Sequence, residues 1–540
     1  MPLSLTGKRW SSPTYSYDGF SAFTDALIEK RNLSCPPALN IQPAFHAGVR
    51  ATMRIENAIE HHEHIGIFGD YDCDGITSSA MMSRFFERRG IRPFIRLPLR
   101  SEGYGLRKEH VDVFRAKNVS LLVTLDTGIT ANHAIEYANA HNINVIIVDH
   151  HILPASLPPA YAIIHPLLAD SPLTPSPAAA GLCYLLVRLL EKKEWEDHRT
   201  DLALACLGTI ADLVELKGFN RTIAKAGLQA WNNLPNGALK ELKISIGLQG
   251  HVSSTDIAFR IAPRVNAPGR MDDPSVALAA LLHGGAPIRI LEELNTQRQT
   301  YVKNIYAGLP DVPLAPFICL AHKTYHPGII GLLAGKLTER FHRPSLVAHI
   351  LNDICTASLR SIPAFNVVHA LEMSKELLIH FGGHAQAAGC TFEYKNFVLL
   401  QQQLSQYASQ TLPPSALVPS LTIDAELSPR DVTLEFCEDL RRLEPFGQGN
   451  PEPHFLLRDI SALQRRQVGS DGQHLQLHIN NTASIGFGLG KFLPYTLRAL
   501  DIVCHIGINN WRGVRTPQIT IEDLREASSA CFRQEQACPL

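Results

Sequence analysis

The chain reads as an α/β protein of several domains. A parallel-sheet domain is joined by helices to a second α/β domain, and a small β-barrel of the oligonucleotide-binding (OB) type follows at the C-terminal end. Three observations predict this. Between residues 64 and 151, apolar runs of strand length alternate with helical patterns, as in a parallel sheet covered on both faces. A second strand–helix–strand pattern begins near residue 315. Beyond residue 420 come short alternating strands with turn signals, the pattern of small barrels. At 540 residues the chain is too long for one core, and length alone calls for about three domains or more.

Residues 1–45 are rich in Pro and Ser with weak periodicity, and read as an extended or loosely packed N-terminal extension. The first domain, with its helical connector, is expected over 46–285. HIGIFGD (64–70) is a short buried strand, and TSSAMMSRFFERRG (77–90) a helix. Thr77 or Ser78 can cap that helix, Met81/Phe85 and Met82/Phe86 pair along it, and Gly90 ends it. VSLLVTLD (119–126) is a second strand, a helix follows near 130–141, and NVIIVDHH (144–151) is a third strand. SPLTPSP (171–177) is a loop, and residues 182–230 are largely helical. In the second domain, over 286–410, PFICLA (316–321) and RPSLVAHI (343–350) are strands around the helix GIIGLLAGKLTERFH (328–342). SQTLPPSALVPS (409–420) has the composition of a linker. HLQLHI, ASIGFGL, DIVCHIGI and PQITIEDL then supply strands for a small closed barrel within 411–540.

The net charge of −1 does not announce a nucleic-acid partner. Residues 84–108 are locally basic, with Arg84, Arg88, Arg89, Arg92, Arg96, Arg100, Arg107 and Lys108 against Glu87 and Glu102. A solvated face explains such a run as readily as a phosphate-binding patch. No apolar run reaches the ~20 residues of a membrane helix, and the N-terminus has no secretory pattern. Eleven cysteines without a CxxC pair argue against a structural zinc site or a disulfide framework, and fit a reducing cytoplasm.

Each strand of the first domain ends in acid: Asp70 and Asp72, then Asp126, then Asp149 with His150 and His151. Sites in open α/β sheets lie outside the strand C-termini, so three distant segments should converge on one acidic pocket. An EF-hand would place Glu at the twelfth position from Asp70, where Met81 stands. No Gly-Lys-Ser/Thr follows the strand, which removes a P-loop. Carboxylates this dense repel one another unless protonated or bridged by a cation. Oxygen ligands with one or two imidazoles suit Mn²⁺ or Mg²⁺, and two such ions about 3.5–4 Å apart form the usual clamp for phosphoester hydrolysis. A salt-bridge cluster with nearby arginines is the ordinary alternative.

GDYDCDGITS (69–78), LDTGIT (125–130), VDHH (148–151) and GTIADLVEL (208–216) resemble the four successive motifs of the DHH phosphoesterase superfamily. LRSEGYGL (99–106), IAPRVNAPGRMDD (261–273), YHPGIIGLLAGKL (325–337), LRSIPAFNV (359–367), FGGHAQAAG (381–389) and LEPFGQGNPEPHF (443–455) resemble one branch of it, the RecJ single-stranded-DNA exonucleases. The resemblance implies that Asp72 and Asp74 each hold one of two metal ions, with Asp70 at the first-motif site. It implies that Asp126 bridges the ions, that His150 and Asp212 complete the second ion's shell, and that catalytic His151 sits beside the scissile phosphate. Asp149 would orient the histidines. The preferred cofactor is a pair of Mn²⁺ ions, with Mg²⁺ the alternative.

The DHH-associated domain of the family matches 315–395, and its GGH motif falls on Gly382, Gly383 and His384, expected to face the metal site across a cleft. Ser358 and Arg360 stand where the family commonly has a glycine-richer stretch, and Thr127 where Asn is common; neither departure removes a proposed ligand. Arg264 and Arg270 are candidate phosphate clamps, with surface ion pairing as the plain alternative. Asn266 lies between them as a further substrate-binding candidate. Arg100 is a candidate for the 5′-terminal phosphate and Tyr104 for stacking on a base. In the barrel, Arg465, Arg466, Trp511, Arg512 and Arg515 are candidates for holding a strand.

The implied activity is 5′→3′ hydrolysis of single-stranded DNA to 5′-mononucleotides in recombination and repair, by a cytoplasmic monomer without a membrane partner. A single-strand-binding protein and a helicase are the partners the family's role implies. A narrow cleft between the two α/β domains would exclude duplex. The same centre would also serve a DHH hydrolase of short RNAs or cyclic dinucleotides, though such substrates need no strand-holding barrel. An inactive DHH scaffold is the remaining alternative, but such proteins lose metal ligands that are all present here.

Overall fold

The computed structural model describes residues 3–15, 19–34, 46–103, 105–168, 173–191, 198–309, 315–461, 464–511 and 513–527. Tyr104, Arg512 and the side chain of Trp511 lie outside the described residues.

The first domain is built on a five-stranded parallel sheet in the order Phe94–Arg96, Ile65–Gly69, Leu121–Leu125, Asn144–Val148, Ala162–Ile164. The three central strands are the expected apolar runs. The two edge strands have three residues each, too few for any periodicity to show. Alternate side chains feed two cores. Ile65, Ile67, Leu121, Val123 and Leu125 pack with Met81, Phe85 and the connector helices. Phe68, Leu122, Val145 and Ile147 pack with Val111, Phe114 and Ile135 on the other face.

The helix after the first strand spans Cys73–Arg88 and begins earlier than expected. Its cap is Asp72, not Thr77 or Ser78: the Asp72 carboxylate accepts the N–H groups of Asp74 and Gly75. A carboxylate there satisfies two donors that no helix can satisfy internally. Thr77 lies inside the helix and donates back to the Cys73 carbonyl. The basic run is largely structural. Arg84 and Arg88 pair with Asp201, Arg88 also with Glu191 and Arg89 with Glu56, which pins this helix to its neighbours, and Arg96 on the edge strand pairs with Glu102.

Helices Ala179–Glu191, Arg199–Ala211 and Gly218–Asn232 pack on the sheet within the same core, and helix Ala286–Ala307 leads to the second domain. Its five strands run in the order His380–His384, Ala387–Glu393, Ile354–Arg360, Ser345–Leu351, Ile318–His322. Only the last pair is parallel. The expected linker begins inside helix Phe397–Thr411 and continues as a single turn, Pro414–Leu417.

The C-terminal domain is a seven-stranded sheet running from Ala425–Leu427 to Gln464–Val468 through Phe455–Ile460, Leu500–Trp511, Val514–Glu526, Thr482–Gly486 and His474–Ile479. Its ladder has two ends, so among the described residues it is an open form of the expected closed barrel, as OB folds allow.

The N-terminal extension is not a loose lead-in. Strand Arg9–Trp10 pairs with Ser420–Leu421, and Trp10 donates its indole N–H to Asp523 at 2.8 Å. Phe23, Leu27 and Leu33 lie in one core with Phe436, Phe455 and Leu477. The partners of helix Phe20–Lys30 lie at the other end of the chain, so no local pattern reveals the packing. No helix among the described residues is long and apolar enough to cross a membrane.

Candidate metal centre

Three neighbouring strands deliver the acids to one edge of the sheet. Asp70 follows Ile65–Gly69, Asp126 follows Leu121–Leu125, and Asp149, His150 and His151 follow Asn144–Val148. The N–H groups of Asp70 and Asp126 donate sideways to the carbonyls of Leu125 (3.1 Å) and Val148 (2.9 Å), so the ladder continues up to the acids. Asp126 takes a left-handed conformation, φ +62°, which Asp tolerates better than most residues.

Other elements fix the remaining side chains. Asp74, in the first turn of the Cys73–Arg88 helix, accepts the N–H groups of Ala179 (2.7 Å) and Ala180 (2.8 Å), at the start of helix Ala179–Glu191. The Arg199–Ala211 helix approaches so closely that a Cβ on Gly208 would stand 2.7 Å from the Asp74 carboxylate, and Asp212 is the next residue after that helix. Asp149 accepts N–H groups from Ile129, His150 and His151 and holds His151 Nδ1 at 2.7 Å. Buried and fully engaged, it fixes the two histidines.

Potential ligand atoms fall into three overlapping sets, each within 4.8 Å: Asp70, Asp72 and Asp126; Asp74, His150 and Asp212; and Asp126, His150 and His151. Asp126 belongs to two of them. His150 Nε2 lies 3.3 Å from Asp126, 3.6 Å from Asp212 and 3.8 Å from Asp74.

The electrostatics show what the pocket lacks within the chain itself. Burial and mutual repulsion raise the pKa of Asp70 and Asp126 well above the carboxylate range, push Asp74 up to about 7 and Asp212 to about 9. Burial, reinforced by charge on His151, pushes His150 down to about 4. His151 goes to about 9 despite its burial, because Asp149 and the other acids outweigh that penalty. Asp70 Oδ1 and His150 Nε2 are buried and make no hydrogen bond. A buried imidazole nitrogen that faces three carboxylates without a hydrogen bond is costly by itself. Divalent cations among these oxygen and nitrogen donors resolve the conflict, and the donor set fits Mn²⁺ or Mg²⁺.

Beside the acids lies a group of arginines. Arg100 stacks 4.2 Å over Tyr71 and donates to the Gly269 carbonyl. Arg270 is half-buried, and desolvation together with Arg100, Arg298 and Arg360 pushes its pKa down to about 10. Arg360 donates to Ser358 Oγ at 3.1 Å, and Arg298 to Asn295 at 2.8 Å. None of these four cations has a carboxylate partner among the described residues, so they form a site for an anion. The second domain seats directly on Arg270: a Cβ on Gly328 would stand 1.9 Å from the Arg270 carbonyl.

The remaining candidates make other contacts. Arg264 is held by Glu292 and the Arg260 carbonyl, the ordinary ion-pair arrangement. Asn266 accepts the Cys73 N–H at 2.9 Å and so braces the metal-bearing turn. His384 is exposed on the edge strand His380–His384, and no hydrogen bond or ion pair among the described residues joins it to the acids. Arg298 escapes a reading of the sequence, because an arginine on a long polar helix looks like surface. Its signal is spatial: a half-buried cation beside Arg264 and Arg270.

Family models match three stretches: DHH family, N-terminal domain, at residues 64–210; DHHA1 domain at 314–410; and RecJ OB domain at 423–523. The single-stranded-DNA-specific exonuclease RecJ of Bacillus subtilis is 33% identical over 501 residues, covering 88% of this chain and 62% of that protein; the chain thus spans less than two thirds of that relative. The protein of the same name from Escherichia coli is 33% identical over 530 residues, covering 88% of this chain and 90% of that protein. The crystal structure of RecJ in complex with Mn²⁺ from Thermus thermophilus superposes with a TM-score of 0.82 at 26% identity, covering 97% of this chain and 80% of that one.

Proposed function

The chain belongs to the RecJ family of DHH phosphoesterases, and from that premise we propose that it is a metal-dependent exonuclease. It degrades single-stranded DNA from the 5′ end and releases 5′-mononucleotides. One observation carries this reading: a set of acids and imidazoles joined through Asp126 lies beside arginines that form no ion pair with a carboxylate among the described residues. One group takes cations and the other a phosphate, which is what a phosphodiester end requires.

Asp70, Asp72 and Asp126 would hold one divalent cation, and Asp74, His150 and Asp212 the other. Such a pair would supply charge neutralisation at the scissile phosphate and an activated water. The rest falls to the chain itself. Asp149 holds His151 Nδ1 at 2.7 Å and so keeps its ring oriented beside the position of the phosphate. His150 stays neutral through burial, so its Nε2 lone pair is available as a ligand. Arg100, Arg270, Arg298 and Arg360, with Ser358, grip the terminal phosphate, and Arg100 holds Tyr71 against the metal-bearing turn. No protein nucleophile is needed. The C-terminal domain grips the strand behind the cleft, a task that a hydrolase of dinucleotides does not have.

The protein acts as a cytoplasmic monomer alongside a single-strand-binding protein and a helicase in repair and recombination. The test of the activity is a single-stranded oligonucleotide labelled at one end or the other, incubated with Mn²⁺ and then with EDTA. Immediate release of labelled mononucleotide from the 5′ label alone, abolished by EDTA, is expected. Turnover of dinucleotides with intact long strands contradicts it.

A further inference from the structure

The LEPFGQGNPEPHF stretch belongs to neither the metal centre nor the arginine group, yet it joins the C-terminal domain to one metal ligand. Asp212 differs from the other acids. Asp74 is fixed by two N–H groups of a neighbouring helix, Asp72 by two of its own helix and Asp149 by three. Among the described residues no side-chain hydrogen bond holds the Asp212 carboxylate, whose backbone N–H donates to the Gly208 carbonyl at 2.9 Å. It caps the C-terminal end of helix Arg199–Ala211, and Leu213 beyond it turns left-handed, φ +60°. The carboxylate therefore stands where the helix gives way to the 213–216 segment.

That course is held by the C-terminal domain. The Leu216 N–H donates to the Gln448 carbonyl at 2.8 Å. Gly447 and Gly449 approach so closely that a Cβ would stand 2.7 Å from Leu216 Cδ1 at the first and 3.2 Å from Glu215 Cβ at the second. Gly449 also has φ +76°, a conformation that favours glycine. The loop is braced from behind by Asn450, fully buried, which donates to the carbonyls of Leu443 (2.8 Å) and Pro445 (2.9 Å) and accepts from Arg31 (3.0 Å). Arg221, buried on the next helix, donates to the carbonyls of Leu33 (3.0 Å), Leu443 (3.0 Å) and Glu444 (2.8 Å). Both sides of the contact are thus locked, and Asp212 lies a few residues upstream of the lock.

We propose that the 444–450 loop is a strap that positions Asp212, so that the C-terminal domain completes the metal subsite formed with Asp74 and His150. Gly447, Gly449, Asn450 and Arg221 are positioning residues for that subsite. The proposal rests on the two-metal reading above, and it gives the C-terminal domain a task separate from gripping DNA.

Calorimetric titration of Mn²⁺ into the EDTA-stripped full-length protein tests it, with Gly449→Ala and Gly447→Ala as variants. Both should melt cooperatively and bind one ion as the parent does. The other ion should bind about tenfold more weakly, as is usual when support for a ligand is lost. Affinity for a single-stranded oligonucleotide in EDTA should be unchanged, and excess Mn²⁺ should restore kcat. If Gly449→Ala does not fold, Gly447→Ala decides, since its added methyl meets only the end of the Leu216 side chain. Unchanged affinity for both ions in a folded variant overturns the proposal, as does weaker strand binding with intact metal affinities. An Asp212→Ala protein that binds as many ions as the parent defeats the two-metal reading itself, a separate failure.

Discussion

Asp126 lies against the charges of Asp70, Asp72, Asp74 and Asp212, and this crowding gives the metal-free protein a pH signature. Asp74, Asp212 and His151 all bind a proton more tightly folded than unfolded, with folded values of about 7, 9 and 9. Such groups contribute stability at low pH and lose it as pH rises through the folded value. His150, held neutral with a value of about 4, acts the other way, but only below its ordinary value near 6.5. In EDTA, the melting temperature should therefore fall from pH ~6.5 to ~9. Added Mn²⁺ should raise it more at the upper end than at the lower. A melting temperature in EDTA that is flat or rising over that window contradicts the crowding. Arg270 supplies a second residue-scale test. Arg270→Met should weaken binding of a 5′-phosphorylated strand about tenfold or more, since a charge-assisted hydrogen bond is worth about 1.5–3 kcal/mol. A strand with a 5′-hydroxyl should show much less effect in the same fluorescence titration, and equal losses on both strands would remove Arg270 from the terminal-phosphate site.

Among the elements, the Cys73–Arg88 helix presents Asp74 to the acidic pocket at its first turn and pairs with its neighbours along its basic side. Asp201, buried between Arg84, Arg88 and His198, should be costly to neutralise. Asp201→Asn should destabilise the fold by about 3 kcal/mol in urea unfolding, while Arg88→Ala leaves strand affinity unchanged. A drop in strand affinity for Arg88→Ala would return the basic run to the nucleic-acid surface. The three central strands and their terminal acids are legible in the sequence because each strand is a continuous apolar run with its acid at the end. The three-residue edge strands are not, for they carry too little pattern. Asp212 is legible only through resemblance to a family motif, since its approach to Asp74 depends on two helices closing over Gly208. Arg264 shows the opposite limit: the residue type suits phosphate, but Glu292 is already there.

On the scale of the whole molecule, the two ends of the chain build one domain. Phe23 fills the C-terminal core against Phe436 and Phe455, so Phe23→Ala should cost about 3–5 kcal/mol. Hydrogen exchange should show the loss in strands 455–460 and 474–479, with the parallel sheet around the acids unaffected. Uniform protection across both regions would mean that the extension contributes no core. The contact is invisible to any local window because its two halves lie 413 and 432 residues apart in the chain. The 444–450 loop extends that domain onto Glu215 and Leu216 of the connector.

We propose that the acids at the strand ends form a single two-cation centre for phosphodiester cleavage. Diffraction from a Mn²⁺-soaked crystal at the manganese absorption edge tests it most directly, with Asp126→Asn as the control. The expected result is two anomalous peaks in this pocket, one against Asp70, Asp72 and Asp126 and one against Asp74, His150 and Asp212, with at least one lost in the variant together with cleavage. A single peak, or none among these residues, in a protein that still degrades single-stranded DNA would contradict it.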